Sequence, residues 1–83
     1  MNNLCMTLEL TEHAKERMLK YGITNNMVIS AVNASDAVVP GYGGRMIYQK
    51  RLNGYVIRVI VEEHKNVKRV ITVYKARSVR YEI

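Results

Sequence analysis

The sequence predicts an α+β fold in which two N-terminal helices pack on one face of a small antiparallel sheet. In the first half, apolar residues recur at helical spacing behind two capping threonines. In the second half, apolar and polar residues alternate with the period of a strand, and Asn53-Gly54 favours a tight hairpin turn. The expected order is β-α-α-β-β-β, with one more short strand from the tail, in a single domain over residues 1–83.

The N-terminal segment alternates apolar side chains over residues 4–10, which predicts a short strand. Thr11 has the side chain that caps a helix, and Gly22 suits the left-handed residue that ends one. Early acids and Lys20 near the end agree with the helix dipole. The predicted helix spans Glu12–Tyr21, and its apolar stripe consists of Ala14, Met18 and Tyr21.

A second capping residue, Thr24, predicts a second helix directly after the first. This helix is expected to end near residues 35–36. Its apolar face consists of Met27, Val28, Ala31 and Val32. The lone Pro40 and the glycines at 41, 43 and 44 then indicate a long turn.

The Asn53-Gly54 turn fixes the pairing of the two strands that flank it. Leu52 then lies opposite Tyr55, and the pairing continues until Met46 lies opposite Val61. One set of side chains faces the helices and is apolar except for Lys50. The other set faces away from the helices and contains Arg45, Ile47, Gln49, Arg51, Val56, Arg58, Ile60 and Glu62.

A second turn at Lys65-Asn66 adds a further strand to the sheet. Glu63 opposite Lys68 and Glu62 opposite Arg69 form two pairs of opposite charge, which support this register. Uninterrupted alternation places Val70, Thr72 and Tyr74 on the helix-covered face, and Ile71, Val73 and Lys75 on the other. The tail over residues 77–83 is the expected last strand.

Charge is distributed unevenly along the chain. Residues 1–43 carry three basic and four acidic residues, whereas residues 44–83 carry ten basic and three acidic ones. Residues 44–83, which contain most of the predicted sheet, therefore have a net charge of +7, and residues 1–43 have a net charge of −1, which gives the +6 of the whole chain. Such a surface attracts polyanions, and nucleic acid is the first partner to consider.

Other functional classes find little support in the sequence. A single cysteine excludes an internal disulfide, and the two histidines stand in no metal-binding pattern, so neither a metal nor another cofactor is expected. The chain has no apolar run of membrane-spanning length and no signal-peptide pattern at its start. A cytoplasmic protein without membrane association is the resulting expectation.

His13 and Arg17 are candidate catalytic residues on the first helix. Their spacing of four residues places them on one side of the helix, beside the apolar stripe. An imidazole can move protons while a guanidinium stabilises negative charge, as phosphoryl chemistry requires. The alternative is structural, with His13 in a local hydrogen bond and Arg17 in an exposed ion pair with Glu16.

Arg58 interrupts the apolar run of residues 55–61, in a strand predicted to be central. No acid is available opposite Arg58 in the predicted register, because Glu62 pairs with Arg45 or Arg69. A functional role and an unrecognised ion pair are therefore equally compatible with its position. The tyrosines of the basic half are candidates for stacking on RNA bases, although Tyr48, Tyr55 and Tyr74 map to the helix-covered face.

Four stretches of the chain, residues 10–18, 21–24, 43–48 and 70–74, carry a resemblance to a known family. With the pattern T-x-H-A-x-x-R-M followed by G-I-T, the chain resembles the uncharacterised domain-of-unknown-function family 4258. That family is similar in layout to the RelE/ParE-like toxins, and through them to metal-independent ribonucleases of the RelE, BrnT and colicin type. These enzymes cleave RNA by attack of the ribose 2′-hydroxyl and leave a cyclic phosphate.

The resemblance implies an endoribonuclease that acts on RNA or on ribosome-bound mRNA. It also implies that this enzyme is the toxin of a toxin–antitoxin pair and is bound by an acidic antitoxin. A non-catalytic nucleic-acid-binding module and a protein-interaction module are the alternatives, and a homo-oligomer is compatible with each. The family pattern supports four of the expected catalytic residues, and Arg58 is added from the strand pattern. The expected catalytic set is His13, Arg17, Arg45, Arg58 and Tyr74. The expected RNA-binding set is Lys50, Arg51, Thr72, Lys75, Arg77, Arg80 and Tyr81.

Overall fold

The computed structural model describes residues 7–77 and confirms the α+β architecture. Two helices and five strands follow one another in the described range. They are β1 (Thr7–Leu10), α1 (Glu12–Tyr21), α2 (Asn25–Asn33), β2 (Ala37–Pro40), a 3₁₀ turn (Tyr42–Gly44), β3 (Met46–Leu52), β4 (Tyr55–His64) and β5 (Val67–Arg77). Residues 4–6 of the predicted first strand and residues 78–83 of the predicted last one lie outside the described residues.

The strands form one sheet in the order β1-β5-β4-β3-β2. All neighbours are antiparallel except β1, which runs parallel to β5. Strand β2 was not predicted, because its four residues end at Pro40 and lie where the sequence indicates a turn. A proline is tolerated there, since β2 is an edge strand.

The predicted hairpin register is confirmed over its whole length, from Leu52 opposite Tyr55 to Met46 opposite Val61. Asn53 and Gly54 both have positive φ angles, 40° and 87°. A two-residue turn of this kind matches the twist of the flanking strands, which is why Asn-Gly sets the register so strongly. The expected opposition of Glu62 to Arg69 and of Glu63 to Lys68 is also confirmed.

The predicted faces of β5 are wrong beyond Val70, because a β-bulge interrupts the alternation. Val61 pairs with Val70, but the preceding Ile60 pairs with Thr72, so Ile71 is an additional residue in β5. Each later side chain therefore lies on the face opposite to the predicted one. Val73 and Lys75 belong to the helix-covered face, whereas Thr72 and Tyr74 belong to the other.

Capping residues position both helices as the sequence predicts. The Thr11 side chain accepts a hydrogen bond from the Ala14 N–H and donates one to the Ile71 carbonyl, both at 3.0 Å, which ties α1 to β5. Gly22 adopts the left-handed conformation at the end of α1, with a φ of 67°. Helix α2 ends at Asn33, two residues before the expected end.

The core lies between the two helices and the sheet. Its buried side chains come from α1, α2 and the central strands, and include Ala14, Met18, Val28, Ala31, Val59 and Val73. The opposite face of the sheet was expected to be uncovered, yet Val56 on that face is fully buried and Gln49 is 4% exposed. Within residues 7–77, neither helix is long and apolar enough to cross a bilayer.

Candidate nucleic-acid interface

Arg58 and Tyr74 lie side by side on the sheet face opposite the helices. They are register partners on β4 and β5, and an Arg58 Nη donates a hydrogen bond to the Tyr74 hydroxyl at 2.5 Å. The guanidinium carbon is 5.6 Å from the centroid of the tyrosine ring. Both residues are partly buried, so the pair is held within the sheet surface. The bulge at Ile71 brings the two residues to the same face.

Two further polar side chains lie next to this pair. Gln49 is the register partner of Arg58 on β3, so Gln49, Arg58 and Tyr74 form a row across three strands. Thr72 precedes Tyr74 on the same face of β5 and lies opposite Ile60. Such a group combines a fixed cation with a phenol and a hydroxyl, which suits the binding of a phosphate and the transfer of a proton.

Arg45 belongs to this face but interacts with an acid. Its Nε and Nη2 both lie 3.3 Å from one carboxylate oxygen of Glu62. This ion pair is exposed to solvent, so a phosphate can compete for the guanidinium at small cost. Of the two arginine partners that the sequence left open for Glu62, the structure selects Arg45, while Arg69 lies 3.4 Å from Glu9.

His13 and Arg17 form a separate group on α1. The Arg17 Nε donates to the His13 Nε2 at 3.4 Å, so the expected proximity on one side of the helix is present. Helix α1 packs through Ala14 and Met18 against the face of the sheet that buries Val73. The five expected catalytic residues are thus divided between α1, which covers one face of the sheet, and the other face, which carries Arg45, Arg58 and Tyr74.

One end of the sheet, which we name the β3–β4 turn end, is rich in cations. It consists of Lys50, Arg51, Tyr55, Lys75 and Arg77. The Lys50 ammonium donates to the Ala34 carbonyl at the end of α2 at 2.9 Å, and the Lys75 ammonium lies 5.3 Å from the centroid of the Tyr55 ring. One described acid is nearby: the Asp36 carboxylate accepts the Arg51 backbone N–H at 2.7 Å.

At the opposite end of the sheet, most of the described charges are compensated. This β4–β5 turn end carries three ion pairs within residues 7–77, namely Arg45–Glu62, Lys68–Glu63 and Arg69–Glu9. The uneven charge of the two halves of the sequence therefore appears in the structure as a difference in charge between the two ends of the sheet. Among residues 7–77, excess positive charge is concentrated at the β3–β4 turn end.

Tyr48 links the strands at the compensated end, on the helix-covered face where the sequence placed it. Its buried ring brings the hydroxyl to the Glu63 carboxylate at 2.5 Å, and the Lys68 ammonium lies 4.9 Å from the ring centroid. Burial raises the pKa of the Tyr48 phenol, and the hydrogen bond to Glu63 adds to this effect. We interpret this cluster as a structural link, because it joins residues from β3, β4 and β5.

The expected RNA-binding residues are placed only in part as predicted. Lys50 lies on the helix-covered face as expected, and Lys75 lies there too, contrary to the prediction, because of the bulge. Arg80 and Tyr81 lie outside the described residues. The sequence maps Tyr55 to the helix-covered face, where core packing is expected, yet 44% of its surface is exposed. This exposure could have been predicted from the sequence, because Tyr55 directly follows the Asn53-Gly54 turn and therefore lies at the rim of the sheet.

Fold and site together define a small α+β protein whose sheet presents tyrosine and basic side chains. The chain belongs to the family described as Domain of unknown function (DUF4258), whose model matches residues 10–75. No curated protein and no solved structure gives a significant match to the chain. The similarity of layout to RelE/ParE-like toxins stays a prediction. Within the described part of the chain, no three His, Cys, Asp or Glu side chains are grouped as a metal site would require.

Proposed function

We propose that this protein is a metal-independent endoribonuclease whose reaction centre is the Arg58–Tyr74 pair. The observation that carries the proposal is the 2.5 Å hydrogen bond between these side chains, on the face of the sheet away from the helices. A guanidinium is suited to phosphate because its planar donors match two oxygens at once. A phenol beside the guanidinium can exchange a proton with the reacting oxygen.

In the proposed reaction, the ribose 2′-oxygen attacks the adjacent phosphorus while the bond to the 5′-oxygen breaks. Arg58 stabilises the negative charge that develops on the phosphate, and Tyr74 donates a proton to the departing 5′-oxygen. The 2′-hydroxyl proton passes to solvent, and solvent reprotonates Tyr74. The products are a 2′,3′-cyclic phosphate and a free 5′-hydroxyl. His13 and Arg17, on α1, are not required for these steps.

The toxin–antitoxin assignment is an extension of this proposal. It is supported by the cationic β3–β4 turn end, which an acidic antitoxin would neutralise, and it follows the resemblance to RelE/ParE-like toxins that the family pattern implies. Co-expression with any short acidic protein encoded beside this chain tests the extension. Loss of RNA cleavage in the mixture supports it, and unaltered cleavage contradicts it.

The test of the activity is incubation of the purified protein with single-stranded RNA and with translating ribosomes, followed by analysis of the RNA ends. Arg58→Ala is expected to lower the cleavage rate about 100-fold or more, the loss typical of a removed charge-stabilising donor. Tyr74→Phe is expected to lower it by a similar factor if the phenol moves the proton. The matched control is Arg69→Ala, which removes an arginine paired with Glu9 at the compensated end. Intact RNA at every protein concentration would end the proposal.

A nucleic-acid-binding module without catalysis is the second candidate. It is favoured by the separation of His13 and Arg17 from Arg58, and by the engagement of Arg45 with Glu62. This candidate predicts RNA binding that weakens steeply with salt, with no cyclic-phosphate ends at any concentration. The same preparations distinguish the two functions, since the wild-type protein either generates new RNA ends or only retains the RNA.

A further inference from the structure

Tyr55 is an aromatic residue held at the rim of the sheet by its neighbours. It is the first residue of β4 and lies opposite Leu52 on β3 and Arg77 on β5. Strands on both sides fix its backbone, while 44% of its surface remains exposed. Because the backbone of Tyr55 is already fixed, ordering this residue against another flat group costs less conformational freedom than ordering a residue in a free loop.

The charges around Tyr55 are suited to an anion. Lys75 lies 5.3 Å from the ring centroid, and Arg77 is the cross-strand partner of Tyr55. Neither side chain takes part in the ion pairs within residues 7–77, which lie on α1 and at the other end of the sheet. An aromatic surface beside cations is the combination by which proteins bind single-stranded nucleic acids, with a base on the ring and a phosphate on the cation.

The positions of Tyr55 and Arg58 define the path of an RNA chain that contacts both residues. The two residues belong to the same strand and are three positions apart, which corresponds to roughly 10 Å along a strand. They lie on opposite faces, because an odd number of positions separates them. A bound chain at Arg58 therefore reaches Tyr55 only by passing over the end of the sheet, where β3 turns into β4.

We propose that the β3–β4 turn end carries single-stranded RNA away from the Arg58–Tyr74 site, with one unpaired base stacked on Tyr55 and the adjoining phosphates on Lys75 and Arg77. This inference rests on the proposed function and adds the form of the substrate. A base can stack on Tyr55 only if it is not already stacked and paired within a helix. The substrate is therefore expected to be single-stranded at this position.

Tyr42 is the natural comparison within the chain. It is 96% exposed and sits in a loop closed by the hydrogen bond from the Gly41 N–H to the Arg45 carbonyl, at 2.7 Å. It is therefore presented to solvent even more fully than Tyr55. It precedes β3, however, and so lies toward the end of the sheet where Glu62 compensates Arg45. Charge complementarity thus selects Tyr55 and not the more exposed Tyr42.

The test measures binding without cleavage. The probe is a fluorescent RNA of about 12 nucleotides, within the usual range of site sizes, with 2′-O-methyl groups that prevent attack on the phosphate. Fluorescence anisotropy is recorded for the wild type, Tyr55→Ala, Tyr55→Phe and Tyr42→Ala, after circular dichroism has shown that each variant is folded. Tyr55→Ala is expected to weaken binding between about 5-fold and 150-fold, which is the range for one stacked base. Tyr55→Phe retains the ring and is expected to bind like the wild type, as is Tyr42→Ala.

A duplex of the same sequence provides the second comparison, and it is expected to bind less tightly than the single strand and to be insensitive to Tyr55→Ala. The inference is overturned if Tyr55→Ala binds the single strand as the wild type does, or if Tyr42→Ala causes an equal loss. If the wild type still cleaves unmodified RNA, either result contradicts only this inference and not the proposed function. A wild type that neither binds the probe nor cleaves RNA overturns both.

Discussion

At the scale of single residues, the sheet holds two tyrosines in contrasting hydrogen bonds. Tyr74 accepts a hydrogen bond from a guanidinium, whereas Tyr48 donates one to the carboxylate of Glu63. The first arrangement places a phenol beside a cation on the face proposed for RNA. The second holds a buried phenol against an anion, which favours the protonated form of Tyr48 and raises its pKa.

The raised pKa of Tyr48 predicts a pH dependence of stability. A group that binds its proton more tightly in the folded state stabilises the protein below its unfolded pKa, about 10 for tyrosine, and loses this contribution as pH rises through the folded value. Tyr48→Phe is expected to lower the free energy of unfolding by about 1 kcal/mol at pH 7, through loss of one hydrogen bond. Denaturant titrations should show this difference from the wild type shrinking above about pH 10.

The control is Tyr42→Phe, because the Tyr42 ring is 96% exposed. This variant should match the wild type at every pH. Parallel stability curves for the wild type and Tyr48→Phe above pH 10 would show that the phenol is not perturbed by its surroundings.

At the scale of elements, the decisive feature is the bulge in β5. Ile71 has no partner of its own between the Val61–Val70 and Ile60–Thr72 pairs. This one additional residue lets Val70 and Val73 both face the core, and it brings Tyr74 to Arg58. The carbonyl of the same residue accepts the hydrogen bond from Thr11, so the start of α1 is tied to the bulge.

This double role of Thr11 predicts unequal effects of removing the two helix caps. Thr11→Ala loses the cap of α1 and the hydrogen bond to Ile71, and is expected to destabilise the protein by about 2 kcal/mol. Thr24→Ala is the matched control, since its side chain accepts from the Met27 N–H at 3.2 Å and lies on the exposed surface. Its expected cost is about 1 kcal/mol or less. Urea midpoints at unchanged m-value measure both, and equal losses would contradict the proposed link between α1 and the bulge.

At the scale of the whole molecule, the two ends of the sheet differ in charge. Cross-strand ion pairs compensate the β4–β5 turn end, while Lys50, Lys75 and Arg77 face a single described acid, Asp36, at the other. A polyanion is therefore expected to be drawn to one end of the molecule. This polarity does not depend on whether the bound RNA is cleaved.

The polarity predicts how salt affects RNA binding. Each phosphate that a cation neutralises on a single strand contributes about 0.7 to the slope of log affinity against log salt concentration. Lys75→Gln is expected to reduce the magnitude of that slope by about this amount. Arg69→Gln should leave it unchanged, because Arg69 already lies 3.4 Å from Glu9. Equal changes in the two variants would show that RNA binds without preference for either end.

The helices, their caps and the β3–β4 hairpin can be predicted from the sequence, because each depends on residues close together in the chain. Thr11 and Gly22 bound α1, and Asn53-Gly54 sets every pair of the hairpin. The residues that carry the family resemblance were likewise identified from the sequence, and the family itself is confirmed.

Which residues meet at the candidate site depends on long-range packing. Alternation counted along the chain cannot detect an additional residue such as Ile71. The bulge becomes visible only when β5 is paired with β4, where Val70 and Val73 both face the core. Strand β2 and the parallel pairing of β1 with β5 likewise depend on contacts between segments and are not indicated by local sequence patterns. The Arg58–Tyr74 pair and the exposure of Tyr55 at the rim therefore follow from packing between distant segments, which local sequence patterns do not encode.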